Sequence, residues 1–471
     1  MARDYAGLLS PPGAAMPRAS FTFLNHACFI VRTDGALFVA DPWLEGAVFD
    51  NAWALVDPSS SDGNLLDILN GAGVPVYIWC SRATPDRLAL PFLRRFRAEF
   101  RGIATFLYRA GRDLRLGEEL RRLRLPVAEC PDGATVGLAG GLRLTALANG
   151  DGDTACLIGA GGRHILSLGE RALPTIAACQ ALLPRISQLA PRIDLLLTSF
   201  GQMGWCGNPD SFTVREVAAK AAVERMAAQI ERLRPKLVVP VASFARFARA
   251  DNAWLNGGRL SPRELLETVR LENVRGLVRF MAPGDSIDLL RDTPASMAAR
   301  HEAALEHWST CWRNRPPPLP RPPPASLGEL KAAFSRYREH VAEGLHVLPW
   351  LLEATGLVRP LLLHLPDLRQ NVELSYRHGL LLRPRESSAH IAMFSGTALR
   401  LLTAADGFET AYAGGCFWTL RRSGLSTFGR FFLPQRMGRR GADRRRPLAM
   451  GGLLWRALLG RMARQLQAAL R

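Results

Sequence analysis

Lysine is nearly absent from this chain. Of 60 basic residues only Lys220, Lys236 and Lys331 are lysines, so the formal charge of +18 is carried almost wholly by guanidinium groups. These stay protonated and grip carboxylates and phosphates through a rigid fork. Paired cysteines are missing too. The eight cysteines stand singly, with no Cys-x-x-Cys spacing. Cys28, Cys80 and Cys156 fall in apolar strand patterns and read as reduced core residues, which suits a cytoplasmic chain. No uncharged apolar run reaches about 18 residues, the length a spanning helix needs. The nearest candidate, 345–365, is interrupted by Pro349, Glu353, Arg359 and Pro360. The opening MARDYAGLLSPPG has no apolar core of the secretory type.

What remains is ordinary for a folded protein: 471 residues, 48% hydrophobic and 22% charged, enough for two or three domains. The positive excess has two readings, a coding bias toward arginine or an acidic partner such as anionic lipid, nucleic acid or a phosphorylated sugar.

The most informative stretch is Tyr77 to Arg87, YIWCSRATPDR. Tyr77, Ile78 and Trp79 predict a buried strand. Thr84 as N-cap and Pro85 at the first helical position predict a helix start, with Leu88, Leu90 and Leu93 on the helix. Upstream, Phe21 to Val31 reads as a strand, Thr33-Asp34-Gly35 as a turn and Ala36 to Ala40 as the return strand. Downstream, Leu142–Leu147, Thr154–Ile158, His164–Leu168, Ile193–Thr198 and Lys236–Pro240 read as strands, and Val214–Leu233 as a helix.

This order resembles the metallo-β-lactamase superfamily, in its lactonase-like and phospholipase-D-like branch, which includes part of CMP-sialic acid hydroxylase. The residues that carry the resemblance are Asn25-His26-Ala27, Asp41-Pro42-Trp43 through Trp53, Ser81 with Pro85 and Asp86, Asp153-Thr154-Ala155, and Pro240, Ala242, Ser243, Phe244, Phe247, Asn252 and Asn256. The resemblance covers about 18–290. It implies an α/β fold, an αββα sandwich, with a dinuclear site of zinc, iron or manganese built on Ser-His-x-His-x-Asp-His.

Here that motif reads Ser81-Arg82-Ala83-Thr84-Pro85-Asp86-Arg87, so its three histidines are Arg82, Thr84 and Arg87. Neither arginine nor threonine is a useful metal ligand. A second departure follows the strand ending at Leu168. Glu170 stands where the family has its bridging aspartate, and Arg171 replaces a cysteine. The expectation is therefore no metal ligand and no cofactor. Arg82, Arg87 and Arg171 either pair with the two carboxylates internally or form a fork for an anionic ligand. Ser243, Asn252 and Asn256 are candidate contacts to substrate hydroxyls, or else turn and cap residues. His26, Asp86 and Glu170 are the candidate catalytic groups. His26 is read either as facing the site mouth or as a satisfied core histidine, and Asp41 as capping the turn before Pro42.

The expected layout is an N-terminal extension over 1–17, a metallo-β-lactamase-like domain over 18–295, a proline-rich spacer over 313–326, a small α+β domain over 327–435 and an arginine-rich tail over 436–471. In the small domain, Leu327–Leu345 reads as a helix, Val372–Leu382 as a hairpin, and Tyr412–Leu420 as a strand. From Arg421 onward there are thirteen arginines and one acid, Asp443. Within it, 451–471 has helical amphipathic spacing that fits either an anionic membrane surface or its own domain.

Three functions follow. The first is a binding or scaffold protein for a phosphorylated sugar or lipid on a fold whose metal site is lost. The second is a surviving hydrolase of phosphorylated sugar, lipid or lactone. The third is a nucleic-acid protein, disfavoured because aromatics do not interleave with the arginines.

Overall fold

The computed structural model describes residues 19–109, 115–149, 153–169 and 176–439. Within them the chain divides into two compact units. The first runs to Leu319 apart from 112–114 and 250–252. The second holds, of the described residues, 250–252 and 320–439.

The strands of the first unit are β1 (Ala19–Asn25), β2 (Cys28–Thr33), β3 (Ala36–Ala40), β4 (Ala47–Val48), β5 (Trp53–Leu55), β6 (Val76–Cys80), β7 (Ala104–Arg109), β8 (Val127–Cys130), β9 (Thr135–Gly137), β10 (Arg143–Asn149), β11 (Asp153–Ala160), β12 (Arg163–Ser167), β13 (Leu195–Thr198), β14 (Leu237–Pro240), β15 (Ala245–Phe247) and β16 (Ser286–Asp288). Its α-helices are α1 (Asp62–Asn70), α2 (Leu90–Glu99), α3 (Arg115–Arg122), α4 (Ile176–Leu189), α5 (Phe212–Leu233), α6 (Pro262–Leu266) and α7 (Ala298–Arg313). They build a seven-stranded sheet, β16-β1-β2-β3-β6-β7-β8, a six-stranded sheet, β14-β13-β12-β11-β10-β9, and a small one, β15-β5-β4.

The two large sheets share one core. Phe21, Phe23, Phe29, Val31 and Phe38 alternate along β1–β3 and meet Leu144, Ala146, Ile165, Leu195 and Leu197 of the other sheet in a single apolar cluster. Period-two alternation puts Leu37, Val39 and Ile78 on the opposite face, and these are buried as well. Both faces of the inner strands are thus covered, as expected where parallel pairing runs through β3-β6-β7-β8.

Three local readings are corrected. Residues 21–31 are not one strand. The chain folds back at His26-Ala27, so β1 and β2 pair antiparallel and β3 makes a third strand. His26 takes φ 43°, and the Asn25 carboxamide fixes the turn by accepting from the His26 N–H at 2.8 Å. The helix expected from Thr84 starts at Leu90 instead. Residues 84–88 form a tight turn, with the Arg87 and Leu88 N–H groups both donating to the Thr84 carbonyl. That turn carries Asp86 and Arg87 inward, where both are buried. Residues 412–420 are also not one strand: a helix ends at Gly414 and only Trp418–Thr419 is extended.

The second unit contains a five-stranded sheet, β19-β18-β17-β20-β21, made of β17 (Leu361–Leu365), β18 (Gln370–Ser375), β19 (Gly379–Arg383), β20 (Ile391–Ala392) and β21 (Trp418–Thr419). Helix α8 (Leu327–Leu345) begins in a capping box of Ser326 and Glu329. The proline-rich stretch is pinned rather than a free spacer. The Leu319 N–H donates to the Ala248 carbonyl at 2.7 Å in the first unit. In the second, Ala325 N–H donates to Ser395 Oγ at 2.8 Å and Arg321 lies 3.9 Å over the Phe394 ring. The first unit also extends past 295 to include α7, whose Trp308 packs into the shared core. No helix among the described residues is long and apolar enough to cross a membrane. The amphipathic stretch 451–471 lies outside the described residues.

Candidate functional site

Strand β3 ends at Ala40 beside Trp79 of β6, so the residues that follow the two parallel strands, Asp41 and Ser81, come together at one sheet edge. This is where open α/β sheets place their ligands. Asp41 has φ 43°, a left-handed conformation uncommon for a non-glycine residue. Its Oδ1 accepts from the Ser81 N–H at 2.8 Å, and its Oδ2 from Ser81 Oγ at 2.7 Å. Arg87 Nη1 lies 3.3 Å from Asp41 Oδ2, and Arg87 Nε lies 3.1 Å from Asp86 Oδ2. One guanidinium therefore spans two carboxylates, in a group of side chains each no more than 7% exposed.

Burial pushes the Asp41 carboxyl up to about 6, against the opposing pull of Arg87 and the Ser81 hydrogen bonds. Arg82, half-buried, follows Ser81 on the same loop. Asp41 is the hub that the sequence reading assigned only to a turn cap. The signal that pointed to it was Asp-Pro-Trp at the end of a strand.

His26 is 1% exposed, and neither ring nitrogen has a hydrogen-bond partner among the described residues. Its backbone carbonyl accepts from the Ala242 N–H at 2.6 Å, and its ring meets Trp43 edge-on at 5.3 Å. Desolvation, with the fields of Arg87 and Arg259, holds this imidazole neutral, its pKa well below the usual value. The site thus joins His26, Asp41, Asp86 and Arg87.

The other candidates are placed differently. Ser243 Oγ accepts from the Phe200 and Gly201 N–H groups, both at 2.9 Å, and donates to the Val241 carbonyl. Asn256 accepts from the Phe247 N–H and donates to the Phe247 carbonyl, fixing the strand β15. Asn252 belongs to the second unit, where its Nδ2 donates to the Gly414 carbonyl at 2.7 Å. The hydrogen bonds of these three side chains run chiefly to backbone. Glu170 and Arg171 lie outside the described residues.

A separate group was not foreseen. His307 and Cys311 sit one turn apart on α7, and His307 Nε2 lies 2.8 Å from Asp57 Oδ2 and 3.7 Å from Cys311 Sγ. Among the described residues this is the set of three histidine, cysteine and carboxylate side chains able to share an ion, with the ligand atoms within 4.8 Å of one another. Asp57 Oδ1 accepts from the Ser59 N–H, and the Asn25 amide donates to the Asp57 carbonyl, so the carboxylate is oriented from behind. The i, i+4 spacing on a helix was visible in sequence, but the partner Asp57 is 250 residues away.

No family model matches the chain. It is 23% identical over 287 residues to cytidine monophosphate-N-acetylneuraminic acid hydroxylase of Danio rerio, a match spanning 57% of this chain and 46% of that protein. The chain thus covers about half the length of this curated relative. Among solved structures it is similar to a mutant of CmlA β-hydroxylase, at 17% identity and TM-score 0.39 over 58% of this chain and 54% of the other. It is also similar to YhfI of Bacillus subtilis, a metallo-β-lactamase fold protein, at 10% identity and TM-score 0.35 over 57% of this chain and 99% of the other.

The expectation that no cofactor belongs with such a chain is corrected by these findings, because CmlA is a diiron β-hydroxylase. The described motif edge does not fit two ions, since a guanidinium already bridges Asp41 and Asp86. Asp57, His307 and Cys311 offer an oxygen, nitrogen and sulfur donor set that fits one zinc-like ion. The two facing sheets and the run of residues shared with the superfamily agree on one fold: the first unit is a metallo-β-lactamase-type αββα sandwich.

Proposed function

We propose that this chain uses its sandwich to hold an anionic small molecule, a phosphorylated sugar or lipid, and that the edge bearing the altered motif does not work as a two-metal hydrolytic centre. The observation that supports this reading is Arg87. A two-metal hydrolase needs a bridging hydroxide as its nucleophile at neutral pH. A guanidinium offers five donors and no lone pair to a metal, and it does not release a proton in the physiological range. With Arg87 between them, one of the two negative charges of Asp41 and Asp86 is balanced without an ion. Their mutual repulsion, which metal would otherwise relieve, is offset internally. The anionic class of ligand is supported by the arginine excess. It is supported also by the Danio rerio relative, named for a substrate that carries a phosphodiester and a carboxylate.

A second reading is favoured by one observation. The Asp57–His307–Cys311 set fits a single ion, and a lone metal polarises a carbonyl or phosphoryl oxygen when bound. This chain's own part would be to hold that ion through Asp57, His307 and Cys311, with Ser59 orienting the carboxylate and Asn25 holding the Asp57 backbone carbonyl.

Thermal melts with hexose phosphates, a CMP-sugar and short-chain phosphatidic acid test the first reading. A ligand-induced rise in Tm with no turnover is expected. Chelator-sensitive turnover of a phosphoester or lactone would move the second reading to first place.

A further inference from the structure

One cleft of the first unit is lined by Val56, Arg246, Asn256, Arg259, Cys311, Trp312 and Arg315. It opens to solvent, and the space it offers to water-sized molecules is about 10 Å³. Three guanidiniums meet there, and no carboxylate lines it. We propose that this cleft is the binding site for a phosphate monoester borne by a sugar or by a lipid headgroup, with Arg246 as the residue that grips the phosphate. The inference rests on the reading of the chain as an anion-binding protein and names the place where the anion sits.

Arg246 carries the argument. It lies at the centre of β15, paired with Ala54 of β5, and is 8% exposed. Its Nε is buried without a partner, and no hydrogen bond or ion pair of its guanidinium occurs among the described residues. A buried cation without a counter-ion is costly, and an anion bound beside it would relieve that cost. Burial lowers the Arg246 pKa and the nearby Arg315 lowers it further, as expected of a cation still waiting for its anion.

The neighbours are arranged for the same purpose. The Arg259 Nη groups donate to the Ala245 and Ser243 carbonyls, which fixes its plane, and it lies 5.9 Å from the Trp312 ring centroid. Arg315 Nε donates to the Trp312 carbonyl at 3.1 Å. Planar guanidiniums held this way meet a phosphate through paired N–H groups rather than as a point charge. The Trp312 indole adds a flat wall on which the carbons of a sugar or glycerol can pack. The cleft shares no lining residue with the Asp41–Asp86–Arg87 cluster, where the guanidinium is already paired on both sides.

The test compares the full-length chain with Arg246→Met and Arg315→Met. Probes are inorganic phosphate, glucose 6-phosphate and vesicles of phosphatidylcholine with phosphatidic acid. Calorimetry and thermal melts follow the soluble probes, and sedimentation follows the vesicles. The wild-type chain is expected to bind glucose 6-phosphate more tightly than inorganic phosphate. Arg246→Met is expected to keep or raise the ligand-free Tm, since it removes an unpaired buried charge, while losing at least about tenfold in affinity. Vesicle binding lost on Arg246→Met, with no response to the soluble probes, would support the site and assign the phosphate to a lipid headgroup. A wild-type chain that binds none of the probes overturns both the site and the anion-binding reading. Wild-type binding that survives in both variants overturns the site alone. A marked fall in the ligand-free Tm of Arg246→Met would show that Arg246 serves the fold and would also overturn it.

Discussion

At the scale of single residues, Arg87 shows how one guanidinium can serve two buried carboxylates. It is 5% exposed and touches two carboxylates that are themselves buried. Arg87→Ala should leave Asp41 and Asp86 without their cation and cost about 3–5 kcal/mol, read from denaturant midpoints. An unchanged midpoint would place Arg87 outside the energetics of this edge.

Asp41 gives a pH signature. Its carboxyl stands at about 6 instead of 3.8, so between those values the folded chain holds a proton that the unfolded chain has released. Stability from this group is therefore full below about pH 4, falls as pH rises toward 6, and stays low above it. Asp41→Asn removes that loss. Its stability relative to wild type should improve by roughly 1–3 kcal/mol between pH 4 and pH 7. A constant difference across that range would contradict the assignment. His26 acts in the opposite sense: its lowered pKa makes the folded state lose stability as pH falls below about 6.5, so only the difference between variant and wild type isolates Asp41.

At the scale of elements, the turn between β2 and β3 is held by a close backbone approach. Gly140 has φ 62°, and a Cβ there would stand 2.5 Å from Thr33 Oγ1 and 2.6 Å from the Gly35 carbonyl carbon. Gly141 has φ 72° with nothing within 4 Å. Gly140→Ala should therefore cost roughly 1–3 kcal/mol more than Gly141→Ala, because it adds a backbone clash to the shared left-handed strain. Equal losses in Tm would show that the two segments separate freely. The same scale explains the displaced helix start. Thr84-Pro85 carries the chemistry of a helix N-terminus, but with Arg87 paired to Asp41 and Asp86, residues 84–88 form a turn, and α2 begins only at Leu90. Local propensity is a weak prior when a buried ion pair competes with it.

At the scale of the whole molecule, charge is distributed unevenly along the sequence: from Arg421 onward there are thirteen arginines and one acid. Each arginine near an anionic surface adds about 1 kcal/mol. A chain ending at Met450 should sediment less with anionic vesicles than the full chain, and the gap should close with rising salt. Equal sedimentation at low salt would remove the tail from membrane binding. The eight cysteines form no disulfide, so neither unit depends on one.

The strands were legible from the sequence as short apolar runs between turn residues, whereas their αββα arrangement was expected only through the resemblance to the superfamily. Helices such as Leu327–Leu345 were legible because periodicity and a Ser-x-x-Glu start coincide. That 81–87 holds no histidine was equally plain, since it needs only residue identity. What the guanidinium at 87 touches was decided by tertiary structure, because Asp41 reaches it only when β3 and β6 lie side by side. Asp57, His307 and Cys311 illustrate the same limit, as do Arg246, Arg259 and Arg315. Each set gathers residues from segments far apart in the chain, and it is packing, not spacing, that brings their charges and donors within a few ångströms.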